Sequence, residues 1–151
     1  MQLTLVRHGE ASPALDGNDT KRPLTPRGHQ QAKQTALYLA DKVKPDIFVV
    51  STLLRAQETI AYIREHFPTI EMLVCDKIKP EDDAKLAVDW LSQLPFENIV
   101  VVCHMNVVAH IEEILTSEYF NSFALAEARI YEQDVIANGL STQKHSFIPN
   151  V

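Results

Sequence analysis

Residues 99–104 have the sequence IVVVCH, and this stretch contains the strongest strand signal in the chain. Four β-branched residues followed by a cysteine favour a buried β-strand over Ile99–Cys103. A histidine, His104, comes directly after the predicted strand. Shorter apolar runs recur elsewhere in the chain, and amphipathic segments separate them.

These runs predict an alternation of strands and helices. Further strands are predicted at Leu3–Val6, Ile47–Val50 and Met72–Cys75. Helices are predicted over residues 26–42, 53–67, 83–94 and 107–115. Thr25 followed by Pro26 is a typical helix start, and Asn106 is placed to cap the last helix.

The C-terminal part of the chain has a different pattern. Ala137-Asn138-Gly139 separates two strand-like runs, residues 128–136 and 140–148, which indicates a β-hairpin. Together with the alternation before it, this predicts an α/β fold: a three-layer sandwich with a mostly parallel central sheet, helices on both faces and a C-terminal β-hairpin.

Composition excludes several classes of protein. With 151 residues, of which 46% are hydrophobic and 23% charged, we expect a single domain over residues 1–151. A formal charge of −6 argues against binding to nucleic acid or to an anionic membrane. We find no signal peptide or membrane span, and Cys75 and Cys103 are expected to be buried thiols without metal-ligand spacing. We therefore expect a cytoplasmic monomer.

Basic and imidazole side chains follow the predicted strands. His8, with Arg7 beside it, follows the first strand, and Arg55 lies in the first turn after the second. His104 follows the fourth. Because the carboxyl ends of parallel strands meet at one edge of a sheet, these side chains are expected to converge.

This combination of residues is suited to phosphoryl transfer. A neutral imidazole is a good nucleophile towards phosphorus, and arginine holds phosphate oxygens in pairs. Gly9 would allow the backbone to approach a ligand closely, and helix starts near Ser51 and Asn106 would add partial positive charge. Taken singly, Ser51 and Thr59 would be a helix cap and a helix-surface hydroxyl. No carboxylate cluster suggests a metal, and we expect no cofactor.

Four segments, in order, resemble the motifs of the histidine phosphatase superfamily, which has the phosphoglycerate mutase-like fold. Arg7-His8-Gly9 is similar to its RHG motif, and residues 22–28, RPLTPRG, are similar to its RPL(S/T)xxG segment. Residues 51–59, STLLRAQET, are similar to its SxxxRAxxT segment, and His104 is similar to its second catalytic histidine. The short chain resembles the compact SixA-type phosphohistidine phosphatases, which lack an inserted lid domain.

The resemblance implies a mechanism and a partner. His8 would form a phosphohistidine intermediate, which water then hydrolyses. Arg7, Arg55 and a protonated His104 would hold the phosphoryl oxygens, and Arg22 would lie near the pocket mouth. The implied substrate is phosphohistidine on another protein, such as the phosphotransfer domain of a phosphorelay.

One feature of the family is not recognisable here. Many members carry an acidic residue after the third strand that protonates an alcohol leaving group. The candidates in this chain lie in no clear motif; they are Asp76, Glu81, Asp82 and Asp83. A missing acid would impair ester cleavage more than P–N cleavage. Two alternatives stay open: a small-molecule phosphomonoesterase and a non-catalytic phosphoprotein-binding module.

Overall fold

The computed structural model describes residues 1–151 and contains six strands and four α-helices. In chain order they are β1 (Gln2–Arg7), α1 (Pro26–Ala40), β2 (Ile47–Ser51), α2 (Leu54–Arg64), β3 (Met72–Cys75), α3 (Ala84–Ser92), β4 (Asn98–Cys103), α4 (Val107–Thr116), β5 (Ala128–Glu132) and β6 (Thr142–Phe147). A short 3-10 helix, Asp19–Lys21, lies in the loop between β1 and α1. None of the helices has the length and apolar character required to span a membrane.

All six strands belong to one mixed sheet in the order β3-β2-β4-β1-β5-β6. β3, β2, β4 and β1 run parallel to one another, and β5 and β6 continue the sheet antiparallel. The predicted α/β fold, with its mostly parallel central sheet and C-terminal hairpin, is confirmed. β4, the strongest strand in the sequence, lies inside the sheet between β2 and β1.

Helices cover both faces of the sheet because strand side chains alternate between the faces. On β4, Val101 belongs to the apolar cluster that includes α3 and α4, whereas Val100 and Val102 belong to the cluster that includes α1 and α2. Burial on both faces explains why the strand is apolar at every position rather than at every second one.

The two predicted helix starts have different outcomes. Thr25 caps α1 as predicted, since its Oγ1 accepts a hydrogen bond of 3.0 Å from the backbone N–H of Gly28. The prediction for Asn106 is wrong, because its side chain makes no capping bond to α4. Its Nδ2 instead donates to Glu81 Oε1 at 3.0 Å, which ties the start of α4 to the segment after β3.

The hairpin has a longer connection than the Asn-Gly step predicts. β5 ends at Glu132, and residues 133–141 join it to β6. Within this connection the Gly139 N–H donates to the carbonyl of Ile114, and the Ser141 N–H donates to that of Leu115. The segment thus satisfies carbonyls at the end of α4 instead of forming a two-residue turn.

Candidate active site

Strand register brings the two predicted catalytic histidines together. β1 and β4 are parallel neighbours, and Arg7 lies opposite Cys103. His8 and His104 are the next residues on each strand, and their ring centroids lie 5.0 Å apart. Both side chains are buried, with 7% and 1% of their surface exposed. His8 and His104, which are far apart in sequence, therefore lie side by side at the carboxyl edge of the sheet.

The contacts of His8 assign its tautomer. Nδ1 lies 2.6 Å from the carbonyl oxygen of Gly9, which can only accept, so Nδ1 carries the proton. The Nε–H of Arg55 donates to Nε2 at 3.3 Å, so Nε2 presents its lone pair. Burial is the main cause that lowers the pKa of His8 to about 4; the charges of Arg55 and Arg7 add to it, and the bond to Gly9 opposes it. The result is a neutral imidazole whose Nε2 lone pair accepts from Arg55, and nucleophilic attack requires Arg55 to exchange this bond for one to a phosphoryl oxygen.

Arg55 is 3% exposed, and its donors point in two directions. Nε faces His8, whereas Nη1 donates to the backbone carbonyl of Asp19 at 2.8 Å and Nη2 donates to Asp19 Oδ2 at 3.2 Å. Thr59 fixes the backbone beneath: its Oγ1 donates to the Arg55 carbonyl at 2.8 Å and accepts from the Gly9 N–H at 3.1 Å. Thr59 is thus a buried link between α2 and the loop after β1, and not a surface hydroxyl.

Ser51 lies behind His104 and has no exposed surface. Its Oγ is 2.7 Å from His104 Nε2 and also accepts from the Leu53 N–H at 3.3 Å. The hydroxyl can donate its proton to Nε2, which leaves the proton of His104 on Nδ1. Ser51, predicted from the sequence as a phosphate-binding residue, thus orients a second histidine, and its contact with phosphate stays a prediction.

The charge of His104 also differs from the one that the family resemblance implies. Burial, followed by repulsion from His8, Arg55 and Arg7, lowers the pKa of His104 far below the usual range. The ring is therefore neutral among these neighbours, and Nδ1–H is a neutral donor. A phosphoryl dianion at the site would raise the pKa of both histidines.

Two buried donors at this edge have no hydrogen-bond partner in the protein. They are Arg7 Nε and His104 Nδ1, which flank the position of His8. The Nη1 of Arg7 donates to the carbonyl of Phe123 at 2.8 Å, which fixes the direction of the guanidinium. Because buried polar groups nearly always have partners, two unpaired donors beside a lone pair are the arrangement expected of an anion-binding site.

The loop after β1 contributes a carboxylate that no sequence pattern indicated. Asp19 Oδ1 accepts from Arg22 Nη1 at 3.2 Å, and its Oδ2 accepts from Arg55. Burial alone would raise the pKa of Asp19, but the bonds and charges of Arg22 and Arg55 outweigh it and lower the pKa. Arg22 is held in turn by Ser12, whose carbonyl accepts from Arg22 Nε at 2.8 Å. Arg22 thus lies beside the mouth of the site, paired with an acid.

Gly9 is required for close contact with another part of the backbone. A Cβ on Gly9 would lie 2.6 Å from the carbonyl oxygen of Gly28, and a Cβ on Gly28 would lie 2.0 Å from the carbonyl oxygen of Glu10. The loop after β1 and the first turn of α1 therefore pack with no room for a side chain. This contact explains why both family motifs contain glycine.

Among the four candidate general acids, three have structural partners of their own. Asp76 forms an ion pair with Lys77. Asp82 accepts a hydrogen bond from the backbone N–H of Lys79. Asp83 caps α3 by accepting from the backbone N–H of Lys85. Glu81 differs because it contacts Asn106, two residues after His104. No group of three or more His, Cys, Asp or Glu side chains is arranged to hold a metal ion.

A buried ionic network supports the loop that orients Arg7. Arg129 donates to Glu112 Oε1 at 2.8 Å and to Glu127 Oε2 at 2.6 Å, and all three side chains are buried. Its Nη2 also donates to the carbonyl of Ser122 at 2.7 Å, and its guanidinium lies 3.8 Å above the ring of Phe123. Arg129 therefore holds in place Phe123, whose carbonyl accepts the hydrogen bond from Arg7.

Comparisons with known proteins identify the family of this chain. The sequence profile of the histidine phosphatase superfamily (branch 1) matches residues 3–79. The phosphohistidine phosphatase SixA of Escherichia coli (strain K12) is 29% identical over 143 residues, which cover 87% of each chain.

Solved structures share the fold. The protein histidine phosphatase SixA complexed with tungstate superposes with a TM-score of 0.86 at 24% identity, covering 98% of this chain and 97% of that one. The phosphoserine phosphatase of Entamoeba histolytica in complex with 3-phosphoglyceric acid superposes with a TM-score of 0.70 at 17% identity, covering 96% and 95%.

Proposed function

Because the chain belongs to the histidine phosphatase superfamily (branch 1), we propose that it is a metal-independent phosphatase that removes phosphate from phosphohistidine on another protein. The observation that carries the proposal is the His8 ring, whose Nε2 lone pair is directed by the Nδ1–H bond to Gly9 and lies beside Arg55. The unpaired donors of Arg7, which is charged, and of His104, which is neutral, add the hydrogen bonds that a phosphoryl group needs.

The short connection between β3 and β4 favours a substrate on a protein surface. Residues 76–97 contain only α3, a nine-residue helix, so this connection contributes no inserted lid. A phosphohistidine on a phosphotransfer domain protrudes from a folded surface and needs an open site. The E. coli relative, named a phosphohistidine phosphatase, matches over 87% of both chains and supports the same substrate. We propose that residues 1–151 act as one domain and as a monomer.

In the first chemical step, phosphorus passes from one imidazole to another. The Nε2 lone pair of His8 forms a new N–P bond as the P–N bond of the substrate breaks. The electron pair of the broken bond stays on the leaving imidazole. If that ring carries a proton on its other nitrogen, it leaves as neutral imidazole, and no general acid is needed. Arg55, Arg7 and His104 donate to the three phosphoryl oxygens.

In the second step, a water oxygen attacks the phosphohistidine formed on His8. The new O–P bond replaces the N–P bond, whose electron pair returns to Nε2, and the water proton passes to phosphate. The Gly9 carbonyl keeps the Nδ1 proton in place throughout, so the same tautomer is regenerated. The cycle uses only side chains of this chain and water.

We propose a cytoplasmic location for this activity. Cys75 and Cys103 are free, buried thiols, in agreement with a reducing compartment.

One observation favours a second candidate function, a small-molecule phosphomonoesterase. Glu81 Oε1 lies 3.0 Å from Asn106 Nδ2, close to the segment that carries His104. A carboxyl group at that position, if protonated, would supply the proton that an alkoxide leaving group requires. The phosphoserine phosphatase of Entamoeba histolytica shows that this fold also occurs in an enzyme named for a small substrate.

The test measures phosphate release from a phosphorylated phosphotransfer domain and, in parallel, from an alkyl phosphate ester, both in EDTA. We expect fast release from the protein for wild type and its loss in His8→Ala, while His145→Ala, an exposed histidine on β6, keeps the activity. Ester turnover that depends on Glu81 and exceeds release from the phosphodomain would establish the phosphomonoesterase instead. Phosphate binding without hydrolysis of either substrate would leave only a phosphoprotein-binding module.

A further inference from the structure

The carboxylate of Asp19 occupies an unusual place for an acid in a phosphate site. It bonds to both arginines at the mouth, Arg22 and Arg55, each at 3.2 Å, and 57% of its side chain is exposed. Arg55 lies between this carboxylate and His8, since its Nε faces the nucleophile and its Nη2 faces Asp19. The nucleophile and the exposed carboxylate of Asp19 therefore contact the same guanidinium group through different nitrogen atoms.

A carboxylate here opposes the binding of simple phosphate. Asp19 places one negative charge beside a dianion and competes with it for the same guanidinium groups. For an enzyme that only holds phosphate, the one benefit of this charge would be to position Arg22 and Arg55. The acid becomes useful when the other half of the substrate is a cation.

Phosphohistidine is a substrate of that kind, and a phosphate ester is not. When the ring nitrogen that does not carry phosphorus is protonated, the phosphoimidazole ring is positively charged and presents an N–H donor. This is also the form that leaves without help from a general acid. An ester oxygen offers neither a positive charge nor a donor.

We infer that the exposed carboxylate of Asp19 selects phosphohistidine over phosphate esters by accepting a hydrogen bond from the N–H of the protonated phosphoimidazole ring. This inference rests on the proposed function. Arg22 and Arg55 keep Asp19 ionised and hold it at the mouth, and the lowered pKa of Asp19 agrees with this state. The interaction takes the place of the general acid, because it retains the proton on the leaving group before the P–N bond breaks.

The test compares Asp19→Asn with Asp16→Asn. Asp16 lies in the same loop, and its Oδ1 accepts only from the Asn18 N–H, so the control removes the same charge away from the two arginines. In Asp19→Asn we expect kcat/KM for the phosphorylated phosphotransfer domain to fall about tenfold, as for loss of a charge-assisted hydrogen bond. For an aryl phosphate ester we expect kcat/KM to rise about threefold, and inorganic phosphate to inhibit more strongly, because a repulsive charge is removed.

The pH profile of kcat supplies a readout that a purely structural role would not move. Its alkaline limb reports the pKa of the ring in the enzyme–substrate complex. A nearby carboxylate raises that pKa, so in Asp19→Asn the alkaline limb is expected to shift to lower pH by about one unit. In Asp16→Asn it stays in place.

The outcomes separate this inference from the proposed function. If wild type does not release phosphate from the phosphodomain, the proposed function is wrong, and the inference about Asp19 falls with it. If wild type is active but Asp19→Asn loses activity equally on both substrates, Asp19 holds only the arginines. If both activities stay unchanged, the carboxylate does not contact the substrate. The inference requires that Asp19→Asn lower kcat/KM for the phosphorylated phosphotransfer domain and raise it for the aryl phosphate ester.

Discussion

Replacing Gly28 by alanine tests whether a backbone contact positions the nucleophile. A Cβ at this position would lie 2.0 Å from the carbonyl oxygen of Glu10, whereas Cβ atoms essentially never approach closer than 3.0 Å. The loop after β1 therefore has to move by about 1 Å, and overpacking of this kind costs about 1–3 kcal/mol of stability. His8 is two residues before Glu10 in that loop. A displacement of about 1 Å at a reacting group lowers the rate by about 100-fold.

The assay for Gly28→Ala is kcat/KM for the phosphorylated phosphotransfer domain, with thermal unfolding measured on the same sample. Gly17→Asn is the control: no atom lies within 4 Å of the position of its Cβ, and asparagine tolerates its φ of +77°. We expect a folded Gly28→Ala with about 100-fold lower kcat/KM and a nearly unchanged control. A stable Gly28→Ala variant with wild-type kcat/KM would refute the claim that this contact positions His8.

Three further predictions follow from buried groups in and around the site. The pKa of His8 is about 4 in the folded protein and about 6.5 in the unfolded chain. Between pH 6.5 and pH 4 the unfolded chain therefore binds a proton that the folded protein does not, and the free energy of unfolding falls as the pH is lowered through this range. Urea unfolding at pH 7 and 4.5 should show this decrease to be about 2 kcal/mol smaller in His8→Asn than in wild type, and equal decreases would contradict the assigned pKa. Arg129→Met leaves the buried carboxylates of Glu112 and Glu127 without their cation and should lower the free energy of unfolding by about 3–5 kcal/mol. Breaking the exposed ion pair between Lys144 and Glu132 should lower it by less than about 1 kcal/mol. Ser51→Ala removes the bond that orients His104 and should lower kcat/KM about fivefold; because it also leaves buried polar groups unpaired, the free energy of unfolding should fall by about 1–3 kcal/mol. An unaltered rate would show that His104 needs no such support.

The sequence predicts those parts of the site that depend on local pattern and strand order. His8 and His104 follow strong strand signals, and parallel strands bring such positions to one edge, so their convergence could be expected from the amino-acid pattern alone. Thr25 also acts as predicted, because helix capping is a local interaction. Arg55 was expected at the same edge for the same reason as the two histidines.

The features that the sequence does not predict depend on contacts between distant segments. Asp19 lies in the loop between β1 and α1 and reaches the site through its contact with Arg55, which is 36 residues away. Asn106 fails to cap α4 because Glu81, 25 residues earlier, takes up its amide. The hydroxyl of Ser51 bonds to His104, 53 residues later in the chain, and this pairing has no local sequence signal. No single-sequence pattern specifies such pairings.

The order of strands also bears on when the site can form during synthesis. β1, which carries the nucleophile, is made first, yet its two neighbours in the sheet, β4 and β5, are among the last parts of the chain to be made. Domains of this kind close long loops before their central strands gain partners, which slows folding. A nascent chain that ends before Asn98 lacks both partners of β1, so His8 has no fixed surroundings at that stage. We therefore expect phosphatase activity to arise only after β5 has left the ribosome.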